Sequence, residues 1–370
     1  MSDQIKTKRI IFIGAGAVGS YLGGWLSHTG HDVTLVDIWD EHVKAIRDNG
    51  LVVNGPHEPF VARPEIYHLH ENEHIARQPF FDIGFVAVKA YDTSWAATFV
   101  DKFVDPDGYI VSSQNTWTDP EMAAAVGADR AVGLVMSSIS VAMWEAGKVE
   151  RPGDTRRRDH GHIVFRAGNH DGTDTPRLHE LIEILDPIDG GKITTNLWGE
   201  RWAKLGQNSM GNPVAASTGM GMSDLNKHPR GRELQIRLAQ ECASVGLAHG
   251  YEVENFGGRT ALEWASAARG DVYEMRAAAL AERSTGANWR PSMAQDVVKG
   301  RPTEILQMNA FVCDQGALVN VDTPVNKAMV NVVKAIDAGE LESGFENVEL
   351  VLSSAGHYTG VIYVGLTTRL

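Results

Sequence analysis

At 370 residues, with 43% hydrophobic and 22% charged side chains, the chain has the length and apolar mass for two domains with separate cores. A formal net charge of −13 argues against nucleic acid or a membrane surface as partner, because both reward a basic face. Two cysteines, Cys242 and Cys313, are too few for a disulfide framework and show no metal-ligand spacing. They suggest a reducing compartment. The opening MSDQIKTKRI has no apolar leader, and no apolar run approaches the roughly 20 residues of a bilayer span, so a soluble cytoplasmic protein is expected.

Residues 9–13 form a short apolar run that predicts a first strand. A glycine-rich turn follows, then a helix from about Ala17 to Thr29, ended by Gly30. Residues 31–36 read as the second strand. Residues 83–88 and 109–113 are strands of the buried type, and 131–138 and 162–167 complete the strand-rich half. Strands alternating with helices imply right-handed βαβ units and a parallel sheet. Beyond about Leu197 the pattern turns helical, over 202–218, 231–249, 260–281, 293–299 and 304–318. Thr323-Pro324 opens one more helix, with threonine as N-cap and proline at the first helical position. The expected fold class is therefore α/β, an N-terminal Rossmann-type doubly wound domain followed by an all-helical C-terminal domain. We expect residues 1–196 to bind a dinucleotide and 197–347 to serve substrate and dimerisation. Residues 348–370 form a C-terminal extension, with a β-like VIYV at 361–364.

The turn reads Gly14-Ala15-Gly16-Ala17-Val18-Gly19, between a strand and a helix, which is the context a dinucleotide fingerprint demands. Its first glycine permits the tight turn and its second lets a pyrophosphate approach the backbone. The third lets the helix pack on the sheet, with its N-terminus facing the phosphate charge. Asp37 ends the second strand, where a carboxylate accepts hydrogen bonds from ribose hydroxyls and repels a 2′-phosphate. NAD is expected over NADP.

In the helical half, Trp202-Ala-Lys204-Leu-Gly-Gln-Asn208-Ser-Met-Gly-Asn212-Pro213 places Lys204, Asn208 and Asn212 at i, i+4 and i+8, along one helix face. Such a stripe is often solvated. Here small and apolar residues surround the asparagines, and buried asparagines need polar partners. A second segment runs Arg290-Pro-Ser292-Met-Ala-Gln295-Asp296-Val-Val-Lys-Gly300-Arg-Pro302-Thr303-Glu304-Ile305. Ser292 and Gln295 have the spacing of a capping box, and Glu304 is expected in the first turn of a helix beginning near Thr303.

These blocks together resemble the ketopantoate reductase family, over residues 9 to about 335. They are GAGAVGSYLGG, VAVKAYDT around Lys89, SSQN ending at Asn115, KLGQNSMGNP, SMAQDVVKGRPTEI and TPVN at 323–326. The resemblance implies a two-domain reductase that passes hydride from a nicotinamide to a 2-oxo acid bound in the interdomain cleft. Lys204 matches the family's catalytic lysine, which protonates the developing alkoxide, a step an ammonium suits on charge and acidity alike. Glu304 matches a glutamate that binds the substrate's hydroxyl groups and helps hold the lysine. Asn208 and Asn212 match asparagines that orient substrate, and Ser292 a serine that contacts its carboxylate. Lys89 and Asn115 match cofactor-side residues at strand ends, where open α/β sheets place ligands; Asn115 also borders the substrate. The chain departs from the family at Thr116-Trp117, where a glycine commonly follows the Gln-Asn pair. It departs again at Asp37-Ile38-Trp39, where NADP-using members carry a basic residue. The 250–289 segment and the tail beyond Ala335 look longer than usual, so the expected substrate is a 2-oxo or 2-hydroxy acid, or a similar small polar alcohol, and not necessarily ketopantoate.

Other features weigh less. His68, His70 and His74 with Glu71 and Glu73 fit no closed zinc pattern, so no metal is expected. Arg156, Arg157 and Arg158 read as a solvated loop, with an anion clamp as the sharper alternative. An opine-type dehydrogenase making a C–N bond and a non-catalytic NAD-binding redox sensor are the rival functions. Such opine enzymes tend to use a histidine relay, and a sensor has no need of the proton donor that Lys204 offers. The partners expected are a small-molecule substrate and a second copy of the chain, as a homodimer.

Overall fold

Alternating side chains on the first strand explain how the N-terminal half is layered. In β1 (Arg9–Ile13), Ile10 and Phe12 face one core while Ile11 and Ile13 face another, and all four are buried. A strand apolar on both faces needs helices on both sides. The computed structural model describes residues 7–137, 139–153, 155–267, 270–285 and 288–356. The chain divides into two compact units, Met1–Arg201 and Trp202–Leu370.

In the first unit, β1 leads into α1 (Ala17–His28), β2 (Asp32–Asp37) and α2 (Asp40–Asn49). Then come β3 (Leu51–Gly55), β4 (His57–Ala62), β5 (Glu65–His68), the single turn α3 (Asn72–Ile75), β6 (Phe81–Val86) and α4 (Thr93–Asp101). The unit continues with β7 (Val104–Ser112), α5 (Asp119–Val126), β8 (Ala131–Met136), β9 (Ala142–Glu145) and β10 (Lys148–Glu150). It closes with β11 (Phe165–Asn169), α6 (Pro176–Leu185) and β12 (Gly191–Ile193). Eight strands form one sheet in the order β12-β11-β8-β7-β6-β1-β2-β5. The strands from β8 to β5 run parallel, and β11 joins β8 antiparallel. This is the doubly wound Rossmann arrangement the alternation predicts. Helices α1, α2 and α6 bury Leu22, Val43, Ile46, Leu178 and Leu181 on one face, and α4 and α5 bury Ala96, Val100 and Met122 on the other.

A second sheet, β4-β3-β10-β9, has no counterpart in the sequence reading. Its decisive pairing, β3 with β10 in parallel, joins Val52 to Lys148 across almost a hundred residues, a contact no local pattern encodes.

The second unit is helical. Helix α7 (Leu197–Thr218) enters it and is followed by α8 (Met222–Lys227), α9 (Pro229–Ala248), α10 (Ala261–Ala265), α11 (Asp271–Glu282) and α12 (Ser292–Val298). A π-helical turn, Leu306–Ala310, continues into α13 (Phe311–Leu318), and α14 (Pro324–Asp337) and α15 (Glu346–Ser354) complete the described chain. Two expectations are corrected here. The single helix read over 260–281 is two helices: α10 ends at Ala265, and α11 starts at Asp271 after Gly270, whose φ of +76° lies outside helical space. The helix expected from Thr303 begins at Leu306, leaving Glu304 ahead of it. The extension expected over 348–370 opens inside α15, while the VIYV segment lies outside the described residues. Among the described residues no helix is long and apolar enough to cross a membrane.

Thr323 is the N-cap of α14 and Pro324 its first residue, as expected, but the cap is supplied from elsewhere. Buried Glu241 on α9 accepts hydrogen bonds from the backbone N–H groups of Val325 (2.9 Å) and Asn326 (2.8 Å) and from Asn326 Nδ2 (2.7 Å). Burial pushes its carboxyl up to about 7, with the hydrogen bonds pulling the other way. The folded chain therefore holds this proton to higher pH than the unfolded chain, and the fold loses stability as pH rises from about 4.5 through about 7. Glu241→Gln cannot ionise. Its stability relative to the parent should rise by on the order of 2 kcal/mol between pH 5 and pH 8, as read from urea midpoints. A pH-independent difference would contradict this.

Candidate active site

The glycine-rich turn is shaped by what it cannot hold. Gly14 sits at φ +94°, and a Cβ there would stand 2.8 Å from the carbonyl carbon of Ala87 on the neighbouring chain segment. A Cβ on Gly19 would collide with the carbonyl oxygen of Gly14. At Gly16, by contrast, a Cβ would meet nothing within 4 Å. The turn thus packs on itself at its two ends and leaves open space at its middle, ahead of the N-terminus of α1, as a pyrophosphate requires.

Asp37 ends β2 beside this turn, and its carboxylate is largely committed to backbone. Oδ2 accepts from Ala15 N (2.6 Å), and Oδ1 accepts from Ile38 N (2.8 Å) and Trp39 N (2.9 Å). A carboxylate has about four acceptor sites, so one remains for a ribose hydroxyl. Lys89 follows β6 and Asn115 follows β7, at the carboxyl ends of adjacent strands. Gln114 ties the two segments together: its Nε2 donates to Val88 O (3.0 Å), Lys89 O (3.4 Å) and Thr93 Oγ1 (2.9 Å). The structure therefore gathers Gly14 to Gly19, Asp37, Lys89 and Asn115 at one edge of the first unit.

The anchors of this edge, Arg201 and Asp119, do not stand out in the sequence. Arg201 of α7 donates to Gln114 O (2.8 Å) and Ser112 O (3.0 Å), and it pairs with Asp119 through Nη2–Oδ1 (3.0 Å) and Nε–Oδ2 (2.6 Å). Both ions are buried, at 1% and 0% exposed. An arginine beside Trp202 and the Asp119-Pro120 step were the available signals, and each has a local explanation. Thr116 adopts φ +70° and is buried, a strained state for a β-branched residue. Trp117 packs on Trp198 (ring centroids 5.1 Å apart), and Trp198 on His170 (5.2 Å).

In the second unit, Lys204, Asn208 and Asn212 rise along α7 as the spacing requires; Lys204 is half-buried and both asparagines are buried. Asn212 Nδ2 donates to Ser292 Oγ (3.4 Å), joining two candidate site residues eighty positions apart. The capping box expected at Ser292 does not form. Pro291 is the N-cap of α12, and Gln295 Nε2 instead donates to Arg290 O (3.1 Å).

Pro213 explains how the segment after Glu304 is fixed. Lacking an N–H, it leaves the Ser209 carbonyl, four residues back, without a helical donor. Asn309 Nδ2, from the π-helical turn, takes that carbonyl (3.1 Å) and also donates to Asn326 Oδ1 (2.8 Å). Thr303 donates to Asp337 through its hydroxyl (2.6 Å). Buried Glu304 is thereby carried on a strand of chain pinned on both sides.

The remaining candidates lie in ordinary contacts. His68 Nε2 meets Ile38 O (3.0 Å), and among the described residues no group of three His, Cys, Asp or Glu side chains is placed to hold a metal ion. The backbone N–H groups of Arg157 and Arg158 donate to Asp189, while the Arg156 side chain reaches Pro187 O (3.1 Å).

Two family models match most of the chain. The model described as Ketopantoate reductase PanE/ApbA covers residues 10–169, and that of its C-terminal domain covers residues 196–337. The chain belongs to the ketopantoate reductase family. A 2-dehydropantoate 2-reductase of Archaeoglobus fulgidus is 26% identical over 342 residues, covering 90% of this chain and 100% of that protein. Among solved structures, D-mandelate dehydrogenase with NADH and anilino(oxo)acetate aligns with a TM-score of 0.72 at 20% identity, covering 90% of this chain and 99% of that one. Dimeric ketopantoate reductase from Staphylococcus aureus aligns with a TM-score of 0.66 at 17% identity, covering 90% and 100%. At these identities the structural likeness shows the ketopantoate reductase fold.

Proposed function

We propose that this chain is a nicotinamide-dependent oxidoreductase that interconverts a 2-oxo acid and its 2-hydroxy acid, with NADH favoured over NADPH. The observation that carries the reading is the α7 face: Lys204, Asn208 and Asn212 in register, with Asn212 joined to Ser292, in a chain matched by both family models. The open turn at Gly16, the α1 N-terminus and the remaining acceptor site on Asp37 fit a dinucleotide. When bound, the reduced nicotinamide supplies the hydride.

Lys204 does the rest of the chemistry. Its ammonium draws negative charge onto the carbonyl oxygen, then passes a proton from Nζ to that oxygen and regains one from water. The side chains of Asn208, Asn212 and Ser292 hold the substrate carboxylate and orient the carbonyl. Glu304 accepts from substrate hydroxyl groups and keeps the lysine in place. A second copy of the chain completes a homodimer, a reading supported by the dimeric relative.

Initial rates of NADH and NADPH oxidation against ketopantoate, small aliphatic 2-oxo acids and aryl 2-oxo acids test the reading. It predicts turnover of at least one class with NADH preferred. No turnover of any 2-oxo acid with either cofactor would refute it. The cofactor preference should rest on charge at Asp37. Asp37→Asn keeps an acceptor for the turn but loses the repulsion, and should cut the NADH-over-NADPH ratio of kcat/KM by about tenfold. An unchanged ratio would place the discrimination elsewhere.

A further inference from the structure

Ala15 lies at the heart of the phosphate-facing turn and is fixed at both ends. Its N–H is held by Asp37, and its carbonyl accepts from Ser20 Oγ (2.6 Å). Having given its proton to Ala15, the Ser20 hydroxyl must itself accept from His42 Nε2, 3.1 Å away. His42 Nδ1 in turn accepts from Gly147 N (2.9 Å), at the tight turn between β9 and β10. These roles allow a single protonation state. With Nδ1 facing an N–H and Nε2 facing an oxygen whose proton is used, the ring is neutral and carries its proton on Nε2.

We propose that Ser20 and His42 form a positioning relay that aims the Gly16 N–H at the cofactor's pyrophosphate, and that the relay operates only while His42 is uncharged. The proposal rests on the cofactor reading above. The peptide joining Ala15 to Gly16 is planar and trans, so its C=O and N–H point in opposite directions. Drawing the Ala15 carbonyl inward to Ser20 therefore turns the Gly16 N–H outward, where a Cβ on Gly16 meets no protein atom within 4 Å. A proton on His42 Nδ1 would set two donors against each other at the Gly147 contact and pull the relay apart.

The surroundings favour the neutral ring. His42 is 0% exposed and stacks on Trp39 at a centroid distance of 5.4 Å. Burial lowers its pKa below the ordinary histidine value, against the field of Asp37 from the end of β2. Helix α1 presents the Ser20 hydroxyl to it. The β9–β10 hairpin presents a backbone N–H, with Glu145 and Lys148 paired to each other at 3.5 Å. On α2 itself, Glu41 and Lys44 are exposed.

The test is calorimetric titration of ADP-ribose, which carries the pyrophosphate and withstands acid, into the full-length chain and its Ser20→Ala, His42→Phe and His42→Gln variants. Ser20→Ala and His42→Phe should weaken binding by about tenfold at pH 8. His42→Gln, which restores an N–H donor toward Ser20 and cannot ionise, should stay within about twofold of the parent. As pH falls below the ordinary histidine range and His42 takes up a proton, the parent should lose affinity while His42→Gln does not follow it. Parent-like binding by Ser20→Ala, or the same pH profile in the parent and His42→Gln, would overturn the relay and leave the cofactor reading standing. No binding of ADP-ribose or NADH by the parent at pH 8 would overturn both.

Discussion

Lys204→Ala should lower kcat for 2-oxo acid reduction by a factor of about 10² to 10⁴ while leaving NADH affinity within about twofold. The lysine performs two tasks in the proposed reaction, electrostatic and proton-donating, and alanine performs neither. Its neighbours on the face, Asn208 and Asn212, are buried and Asn212 is tied to Ser292, so the helix itself should survive the change. Circular dichroism and the urea midpoint check this. Lys204→Arg separates the two tasks: it keeps the charge but does not give up a proton near neutrality, and so should recover little of the rate. Activity retained in Lys204→Ala would move the proton donor elsewhere.

Arg201→Met should destabilise the first unit by about 3–5 kcal/mol. Asp119 is 0% exposed, and Arg201 is its closest cation, at 2.6 and 3.0 Å. Without the guanidinium, a buried carboxylate stands unpaired and the carbonyls of Ser112 and Gln114 lose their donors. Replacing both partners, Arg201→Met with Asp119→Leu, should recover much of the loss, because the penalty lies in the orphaned charge. His170 gives a second signature. Its Nε2 stands 4.0 Å from Asp119, and its pKa is held down by burial and in part by the field of Arg201. Once Arg201 is gone the imidazole takes up a proton more readily, so the deficit should narrow as pH falls below neutrality. Urea midpoints at pH 6 and pH 8 check both points, and a loss under 1 kcal/mol would contradict the pairing argument. Loss of the two carbonyl anchors should also weaken NADH binding, since Gln114 connects the Lys89 and Asn115 segments.

The residues most legible in the sequence are those whose role is carried by local pattern. The strand–turn–helix context of Gly14 to Gly19 gave the Rossmann half, and i, i+4, i+8 spacing gave the α7 face. What stayed hidden depends on partners far along the chain. The small sheet needs β3 to find β10, Arg201 needs Asp119, and His42 needs Gly147. Ser292 shows the opposite hazard. Its sequence fits a capping box, yet Pro291 takes the cap and Asn212 reaches the hydroxyl, so tertiary contact overrides local spacing. Pro213 is similar. Inside a helix it reads as a defect, and only with Asn309 in place does it read as the means of freeing a carbonyl.

The most direct test of the central claim follows the transferred hydrogen. NADH deuterated at the nicotinamide C4 is supplied with ketopantoate or the best 2-oxo acid of the panel, and the product is analysed by mass spectrometry and proton NMR. The account predicts a 2-hydroxy acid carrying deuterium at C2 from the wild-type chain, and almost none from Lys204→Ala over the same time. A product without deuterium at C2, or equal labelling by the two proteins, would contradict it.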